Sequence, residues 1–183
     1  MPPLLIVFAG LPGTGKSTLA RAIAEREDAV WLRVDTLEAA MLRSGLSQSF
    51  ETGLAAYNAV WELARDELRR GRNAVVDAVN GVEPAREMWR SLARECGASL
   101  FFVEVICSDR EVHRRRVESR GAQTPPLPAP TWADVLEREY RAWSDPILTI
   151  DGIAPVELNI ERIVKYLSPE RGRSPTRADH NKL

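Results

Sequence analysis

Several features that define other classes of protein are scarce in this sequence. It contains two cysteines, Cys96 and Cys107, and no C-x-x-C pair, which argues against a disulfide framework and against a zinc site. The two histidines, His113 and His180, are too far apart in sequence to build a His-rich metal centre. No apolar run approaches the roughly 18 residues of a membrane helix, and the N-terminus lacks the pattern of a secretory signal. We therefore expect a protein of the reducing cytoplasm with no membrane partner.

An excess of charge of either sign is also missing. Lysine or arginine occupies 25 of the 183 positions and aspartate or glutamate 26, which gives a net charge of −1. This balance predicts no strong non-specific attraction to nucleic acid, although it does not exclude a nucleic-acid partner. Lysine occurs only at Lys16, Lys165 and Lys182, so the first of these is conspicuous.

Short apolar segments alternate with segments of helical periodicity along residues 4–167. This alternation predicts a single α/β domain with a mostly parallel sheet. Residues 168–183 are polar and lack periodicity, which predicts a flexible tail. The predicted strands are 4–9, 30–34, 74–77, 99–106 and 147–150, and the predicted helices are 16–26, 36–43, 51–70, one from about 84, 109–119, 131–143 and 155–167.

The strongest motif matches G-x-x-x-x-G-K-[ST] in full and lies between a predicted strand and a predicted helix. Its glycines keep side chains away, so that backbone N–H groups can surround a chain of phosphates. Lys16 is expected to reach the β- and γ-phosphates, and the Ser17 hydroxyl to hold Mg²⁺. The motif predicts an ATP site with Mg²⁺, formed by Gly10, Pro12, Gly13, Thr14, Gly15, Lys16, Ser17 and Thr18.

Two aspartates follow predicted strands. Asp35 is expected at the carboxyl end of the second strand, at the edge where parallel sheets bind ligands, and capping of the next helix is the alternative. Asp77 closes an apolar strand in the manner of a Walker-B acid, so it can bind Mg²⁺ or an acceptor, with local hydrogen bonding as the alternative. Ala78 follows it where hydrolysing ATPases usually carry an acid, which favours transfer to an acceptor over hydrolysis. Arg33 is interpreted as a solvated arginine, with contact to an anionic acceptor as the alternative.

Together, the motif at 10–18, Asp35, the run Val75–Asn80 and the arginine-rich segment 110–120 resemble the small P-loop kinases. The resemblance covers roughly residues 4–167. It is nearest to predicted AAA-type small kinases and polynucleotide 5′-kinase domains, with adenylylsulfate kinase, gluconate kinase and chloramphenicol phosphotransferase more distant. It implies a five-stranded parallel sheet of order 2-3-1-4-5 and a mobile helical lid at about 110–131, between the fourth and fifth strands.

The resemblance also implies roles on the ATP side. Arg116 and Arg120 are four residues apart, hence on one helix face, and in similar kinases such a pair folds over the phosphates. Guanidinium groups neutralise the charge that develops during phosphoryl transfer. The alternative is an exposed charged helix. The loop 151–155 is expected to abut the adenine through backbone groups.

On the acceptor side, the resemblance makes Asp35 the general base that contacts the acceptor hydroxyl. Tyr57 is expected to help cover the acceptor pocket, with core packing as the alternative, and Asn80 is expected to line it. Trp132 and Trp143 are expected in the core.

These features predict an ATP- and Mg²⁺-dependent kinase that transfers the γ-phosphate to a hydroxyl of a small molecule. Its expected partners are ATP and that acceptor, and a monomer and a homodimer are equally compatible with the sequence. One alternative is a 5′-hydroxyl kinase of nucleic acid or a nucleoside. Another is an ATP-binding regulatory module that hydrolyses slowly.

Overall fold

The computed structural model describes residues 2–119, 125–144 and 146–168. Arg120, the middle of the predicted lid and the predicted tail from residue 169 onward therefore lie outside the described residues. Strands and helices alternate along the described chain. They are β1 (Leu4–Ala9), α1 (Lys16–Arg26), β2 (Ala29–Arg33), α2 (Val34–Arg43), α3 (Phe50–Arg69), β3 (Asn73–Asp77), α4 (Glu83–Cys96), β4 (Ser99–Ile106), α5 (Arg110–Ser119), α6 (Trp132–Glu137), β5 (Leu148–Asp151) and α7 (Val156–Leu167).

The strands form one parallel sheet of order β2-β3-β1-β4-β5, which confirms the predicted fold. All six residues of β1 are buried, because this central strand is covered on both faces of the sheet. The register places Asp77 of β3 between Phe8 of β1 and Arg33 of β2. The carboxyl ends of these three strands therefore meet at one edge, where the phosphate-binding motif begins.

Each face of the sheet carries its own apolar core, so the domain has three layers. On one face α1 and α7 pack against β1 and β4, and on the other α3 and α4 pack against β1 and β3. No helix in the described part of the chain is long and apolar enough to cross a membrane. Buried members of the first core include Leu19, Ile23, Val103 and Ile163, and those of the second include Val60, Leu68, Trp89 and Leu92.

The helix predicted from Thr131 to Trp143 is wrong in its second half. Its start is as predicted, because Thr131 and Asp134 form a capping box. The helix ends at Glu137, however, and Arg138 turns out of it with φ −65 and ψ 125. The following residues instead run across the loop after β3, where Arg141 N–H donates to Gly81 O at 2.8 Å.

The buried Arg86 of α4 fastens this irregular segment to the fold. Its guanidinium is fully buried and is stacked 3.7 Å from the centre of the Trp143 ring. Its hydrogen bonds run to main-chain carbonyls, two in the loop after β3 and two in the segment after α6. These acceptors are Asn80 O (3.1 Å), Gly81 O (3.3 Å), Arg141 O (2.6 Å) and Ala142 O (2.9 Å).

We predict that Arg86→Met lowers the free energy of unfolding by about 3 kcal/mol, because buried carbonyls lose a charged donor. Urea denaturation measures this. The matched control is Arg94→Met on the same helix, whose ion pair with Glu87 is exposed and therefore contributes little to stability. An Arg86 variant as stable as this control would show that the carbonyl contacts do not stabilise the fold.

Candidate active site

The loop between β1 and α1 surrounds a space that side chains do not enter. Gly10 has φ +143, and a Cβ there would lie 2.3 Å from Val105 O, so the position requires glycine. Gly10 N–H donates to Val79 O at 3.1 Å, and the Thr14 hydroxyl donates to Leu11 O at 3.0 Å. These bonds fix the shape of the loop.

The first helix presents its N-terminus to this loop. It begins at Lys16, with Gly15 in the left-handed region at the N-cap, no side-chain cap and no acidic residue in its first turn. The first N–H groups of α1 and the positive end of its dipole are therefore left for an anion. This arrangement has the features that the motif predicts for a phosphate site.

Asp77 lies beside the phosphate site and is only 3% exposed. Its Oδ1 is 3.7 Å from Lys16 Nζ, and its Oδ2 is 3.5 Å from Arg33 Nε. These two cations compensate a carboxylate that would otherwise be costly to bury. Within the described residues Oδ2 has no hydrogen-bond partner, which leaves an oxygen able to accept from a ligand.

Asp35 lies inside α2 rather than at the end of β2, so the predicted position is wrong. The strand ends at Arg33 because this residue is the last to pair with β3, opposite Asp77. The helix starts immediately, at Val34, and its N-cap is Arg33. Asp35 therefore occupies the first turn and does not act as the N-cap, and its side chain is 53% exposed.

Arg33 connects the two aspartates and is not the solvated arginine that we expected. Its side chain is 19% exposed, because it lies over the Trp31 ring with 5.4 Å between guanidinium carbon and ring centre. One nitrogen contacts Asp77, and another lies 4.0 Å from Asp35 Oδ2. The exposed carboxylate is thereby linked to the phosphate site through one side chain.

A group of polar side chains from three elements surrounds Asp35. Tyr57 of α3 is partly buried, and burial raises its pKa to about 12, so the phenol stays protonated at neutral pH. Burial and the nearby Asp35 charge raise the pKa of Glu38, one turn along α2. The guanidinium of Arg138, just beyond α6, acts electrostatically on both groups in the opposite direction. These residues form a polar face next to the exposed carboxylate.

The structure contradicts the prediction that Asn80 lines the acceptor pocket. Its side chain is fully buried, with Nδ2 donating to Phe8 O at 2.8 Å and Oδ1 accepting from Trp89 Nε1 at 2.9 Å. Its backbone adopts φ +48, and its N–H donates to the Tyr57 hydroxyl at 3.3 Å. Both ends of the amide are used within the fold, so Asn80 orients the loop after β3 and Tyr57.

The arginine-rich helix α5 is packed against the phosphate-binding loop. His113 is buried, and its Nε2 lies 2.7 Å from Pro12 O; because a carbonyl only accepts, this nitrogen carries the proton. Val117 packs so closely that a Cβ on Gly13 would lie 2.6 Å from its Cγ2. Arg116 reaches past the loop and donates to Gly152 O at 3.0 Å. Arg114 and Arg115 are exposed, as expected.

A cleft of about 360 Å³ runs from the phosphate site to the loop after β5. Gly152 closes it on one side, because a Cβ there would lie 1.9 Å from Thr14 O. Arg116 lines the cleft, as do the apolar residues Ala154 and Val156 before and at the start of α7. The lining is Gly13, Gly15, Ser17, Thr18, Leu19, Arg116, Ser119, Gly152, Ala154, Val156 and Asn159.

Four residues of this region were not singled out as site residues from the sequence: Glu38, Arg86, His113 and Arg138. Glu38 follows Asp35 by three residues, so helical spacing offered a signal for it. His113 was present in the arginine-rich segment, but only metal binding was considered for it. Arg86 and Arg138 gave no signal, because main-chain acceptors and a helix end determine their positions.

Residues 5–141 match the family model described as an AAA domain. The chain belongs to this family. Among curated relatives of this AAA domain, UPF0200 protein PAE1629 of Pyrobaculum aerophilum is 28% identical over 144 residues, covering 75% of this chain and 76% of that protein. The 6-phosphofructo-2-kinase/fructose-2,6-bisphosphatase 1 of Rattus norvegicus is 28% identical over 147 residues, covering 67% of this chain and 29% of that enzyme.

The fold of this AAA domain is that of the small P-loop kinases, which confirms the resemblance. The APS kinase of Mycobacterium tuberculosis, solved with AMPPNP and APS, superposes with a TM-score of 0.71 at 19% identity. The match covers 91% of this chain and 98% of that one. At this level of identity the comparison establishes the architecture, and the activity has to be argued from the site.

We predict that Gly152→Ala weakens nucleotide binding roughly tenfold or more, equivalent to about 1.4 kcal/mol. The new Cβ has to displace the Thr14 backbone within the phosphate-binding loop. Titration calorimetry measures the affinity. In the control, Gly53→Ala, the nearest atom is Glu38 Oε1 at 3.9 Å and α3 gains helix propensity, so affinity is expected to stay unchanged. Equal affinities of the two variants would contradict this tight packing.

Proposed function

We propose that this AAA domain is an ATP- and Mg²⁺-dependent kinase that transfers the γ-phosphate to a hydroxyl of a small molecule. One observation carries the proposal: an exposed carboxylate, Asp35, stands next to a phosphate-binding loop and is linked to it through Arg33 and Asp77. An accessible carboxylate there is suited to receive the proton of an acceptor hydroxyl. The AMPPNP complex of the structurally similar APS kinase supports ATP as the donor.

The residues beside the loop fit a magnesium ion. Asp77 offers a buried oxygen without a hydrogen-bond partner among the described residues, and Ser17 lines the cleft at the second position of α1. Hydroxyl and carboxylate oxygens are ligands that Mg²⁺ prefers. Ser17 and Asp77 would hold the ion, which when bound neutralises charge on the phosphates.

The proposed reaction is an in-line displacement at the γ-phosphorus. The acceptor oxygen forms a bond to phosphorus while the bond to the β–γ bridging oxygen breaks, and ADP leaves. Asp35 takes the hydroxyl proton as the new bond forms. Lys16 and Arg116 neutralise charge on the phosphates during the transfer.

The residue after Asp77 favours transfer over hydrolysis. Ala78 is buried in the core formed with α3 and α4, so this position presents no acid to activate water. ADP release should therefore depend on an acceptor.

The test is a screen in which ADP release is measured with and without hydroxyl-bearing metabolites, nucleosides and 5′-hydroxyl oligonucleotides. A metabolite that accelerates ADP release and appears as its phosphate ester supports the proposal, and Lys16→Ala should abolish the signal. Acceleration only by oligonucleotides or nucleosides would assign the 5′-hydroxyl activity instead. Acceptor-independent hydrolysis across the screen would overturn the kinase assignment.

We predict that Asp35→Asn lowers turnover with the acceptor by roughly 10²–10⁴, because the amide cannot take the proton. Its affinity for ATP and its melting temperature should change little, since Asp35 is not the N-cap of α2. Steady-state kinetics and calorimetric titration separate these effects. Asp66→Asn, an exposed aspartate near the end of α3, is the matched control. Full turnover by the Asp35 variant would remove it as the base.

We predict that Arg116→Ala lowers kcat by roughly 10²–10³, the usual loss for one electrostatic partner of the transition state. The guanidinium lies in the cleft beside the phosphate loop, and its neighbour Arg115 is exposed. Arg115→Ala should therefore remain near wild-type activity. The comparison uses kcat and KM for ATP at saturating acceptor. Equal losses in both variants would mean that α5 acts only as a diffuse positive surface.

A further inference from the structure

His113 on α5 is a buried imidazole in contact with the phosphate-binding loop. The residue is 7% exposed, and its Nε2 donates to Pro12 O at 2.7 Å. Because proline has no N–H, this carbonyl is the only hydrogen-bonding group that residue 12 offers. A hydrogen bond from a side chain of α5 therefore holds the middle of the loop.

The face of α5 that carries His113 packs closely on the same loop. A Cβ on Gly13 would lie 3.2 Å from His113 Cδ2 and 2.6 Å from Val117 Cγ2, so glycine at this position allows the helix to approach. The Trp132 ring also packs against the imidazole, edge-on, with 5.1 Å between centroids and 81° between planes. The imidazole is therefore fixed both by a hydrogen bond and by packing.

The hydrogen bond of His113 and the packing of Val117 constrain α5 in different ways. Apolar contact is non-directional, so Val117 favours a close approach without defining where along the loop the helix lies. A hydrogen bond has a preferred distance and angle, so it does define that position. Among the described residues, His113 forms the one side-chain hydrogen bond between α5 and residues 10–15.

Arg116 follows His113 by three residues and takes its position from the same helix. Three residues span about 4.5 Å along a helix axis, less than one turn. Arg116 Nη1 donates to Gly152 O at 3.0 Å and lies 4.0 Å from the place that a Cβ on Gly15 would take. A guanidinium has five N–H groups, so this bond leaves donors for phosphate oxygens. Such a group has to be held within about 0.5 Å of its productive position.

We propose that His113 is a positioning residue for phosphoryl transfer. Its hydrogen bond to Pro12 O sets α5 on the phosphate-binding loop, so that Arg116 reaches the γ-phosphate. His113 itself contacts neither the nucleotide nor the acceptor. This role deepens the proposed function, on which it rests, because it explains how the arginine is aligned with the transferred group. An apolar side chain at position 113 should therefore weaken contacts to the γ-phosphate specifically.

The test compares Kd for ADP and for AMPPNP by titration calorimetry, both with Mg²⁺ and without an acceptor. Only AMPPNP carries a γ-phosphoryl group, so the ratio of the two Kd values reports the contacts to that group. Relative to wild type, Arg116→Ala and His113→Leu should each reduce the preference for AMPPNP roughly fivefold. Leucine favours the helix but has no N–H to donate. The control Arg115→Leu, at an exposed position of α5, should retain the wild-type ratio.

Two further variants separate positioning from a general loss of structure. The double variant His113→Leu/Arg116→Ala should show the same ratio as Arg116→Ala alone, because His113 acts through Arg116. His113→Gln retains an N–H donor and should recover most of the lost preference. A merely structural role would weaken the binding of both nucleotides and leave their ratio unchanged. His113→Met replaces the leucine variant if thermal unfolding shows that the latter does not fold.

A wild-type ratio in His113→Leu would overturn the proposal, as would losses that multiply in the double variant or a glutamine variant as impaired as the leucine variant. Failure of the wild-type protein to bind either nucleotide would overturn the proposed function as well. Binding of both nucleotides, with a ratio that responds to Arg116→Ala but not to His113→Leu, would leave the kinase proposal standing and refute only the role of His113.

Discussion

The buried carboxylate of Asp77 holds two cations in place, Lys16 and Arg33, and each arrives from a different strand or helix. Removal of that charge would leave the largely buried Lys16 without its carboxylate and would leave Arg33 with Asp35 alone. The contacts exist because the parallel register sets Arg33 and Phe8 directly beside Asp77. The phosphate site and the exposed Asp35 are therefore positioned by the alignment of three strand ends.

A second set of contacts, which involves no carboxylate, holds the loop after β3 to β1, to α4 and to the segment after α6. Asn80 ties the loop after β3 to β1 and to Trp89, and Arg86 ties the same loop to the segment that follows α6. Tyr57 joins this set through the Asn80 N–H. Buried main-chain and aromatic contacts consequently support the polar face around Asp35.

The sequence predicted the parts of the molecule that local periodicity determines. The strand order followed from the family resemblance. The phosphate loop followed from its motif, because glycine spacing and the strand-to-helix context are local properties. The second half of the helix after Thr131 was mispredicted, since its periodicity competes with long-range hydrogen bonds from Arg86 to Arg141 O and from the Arg141 N–H to Gly81 O. The end of the second strand was mispredicted by one residue for a similar reason: pairing with β3 ends at Arg33, so Asp35 falls in the first turn of α2. Asn80 was predicted to line the acceptor pocket because no local pattern reveals that both ends of its amide form hydrogen bonds with Phe8 and Trp89.

The hydrogen bonds of Arg86 end on carbonyl oxygens, which every amino acid possesses. Side chains at positions 139, 141 and 142 can therefore be exchanged while the guanidinium retains its acceptors, provided that the backbone path is kept. Arg138, at the edge of this segment, belongs to the polar face around Asp35. The contacts that attach this segment are thus separate from the side chains near Asp35, so those side chains can diverge while the scaffold beneath them remains constant.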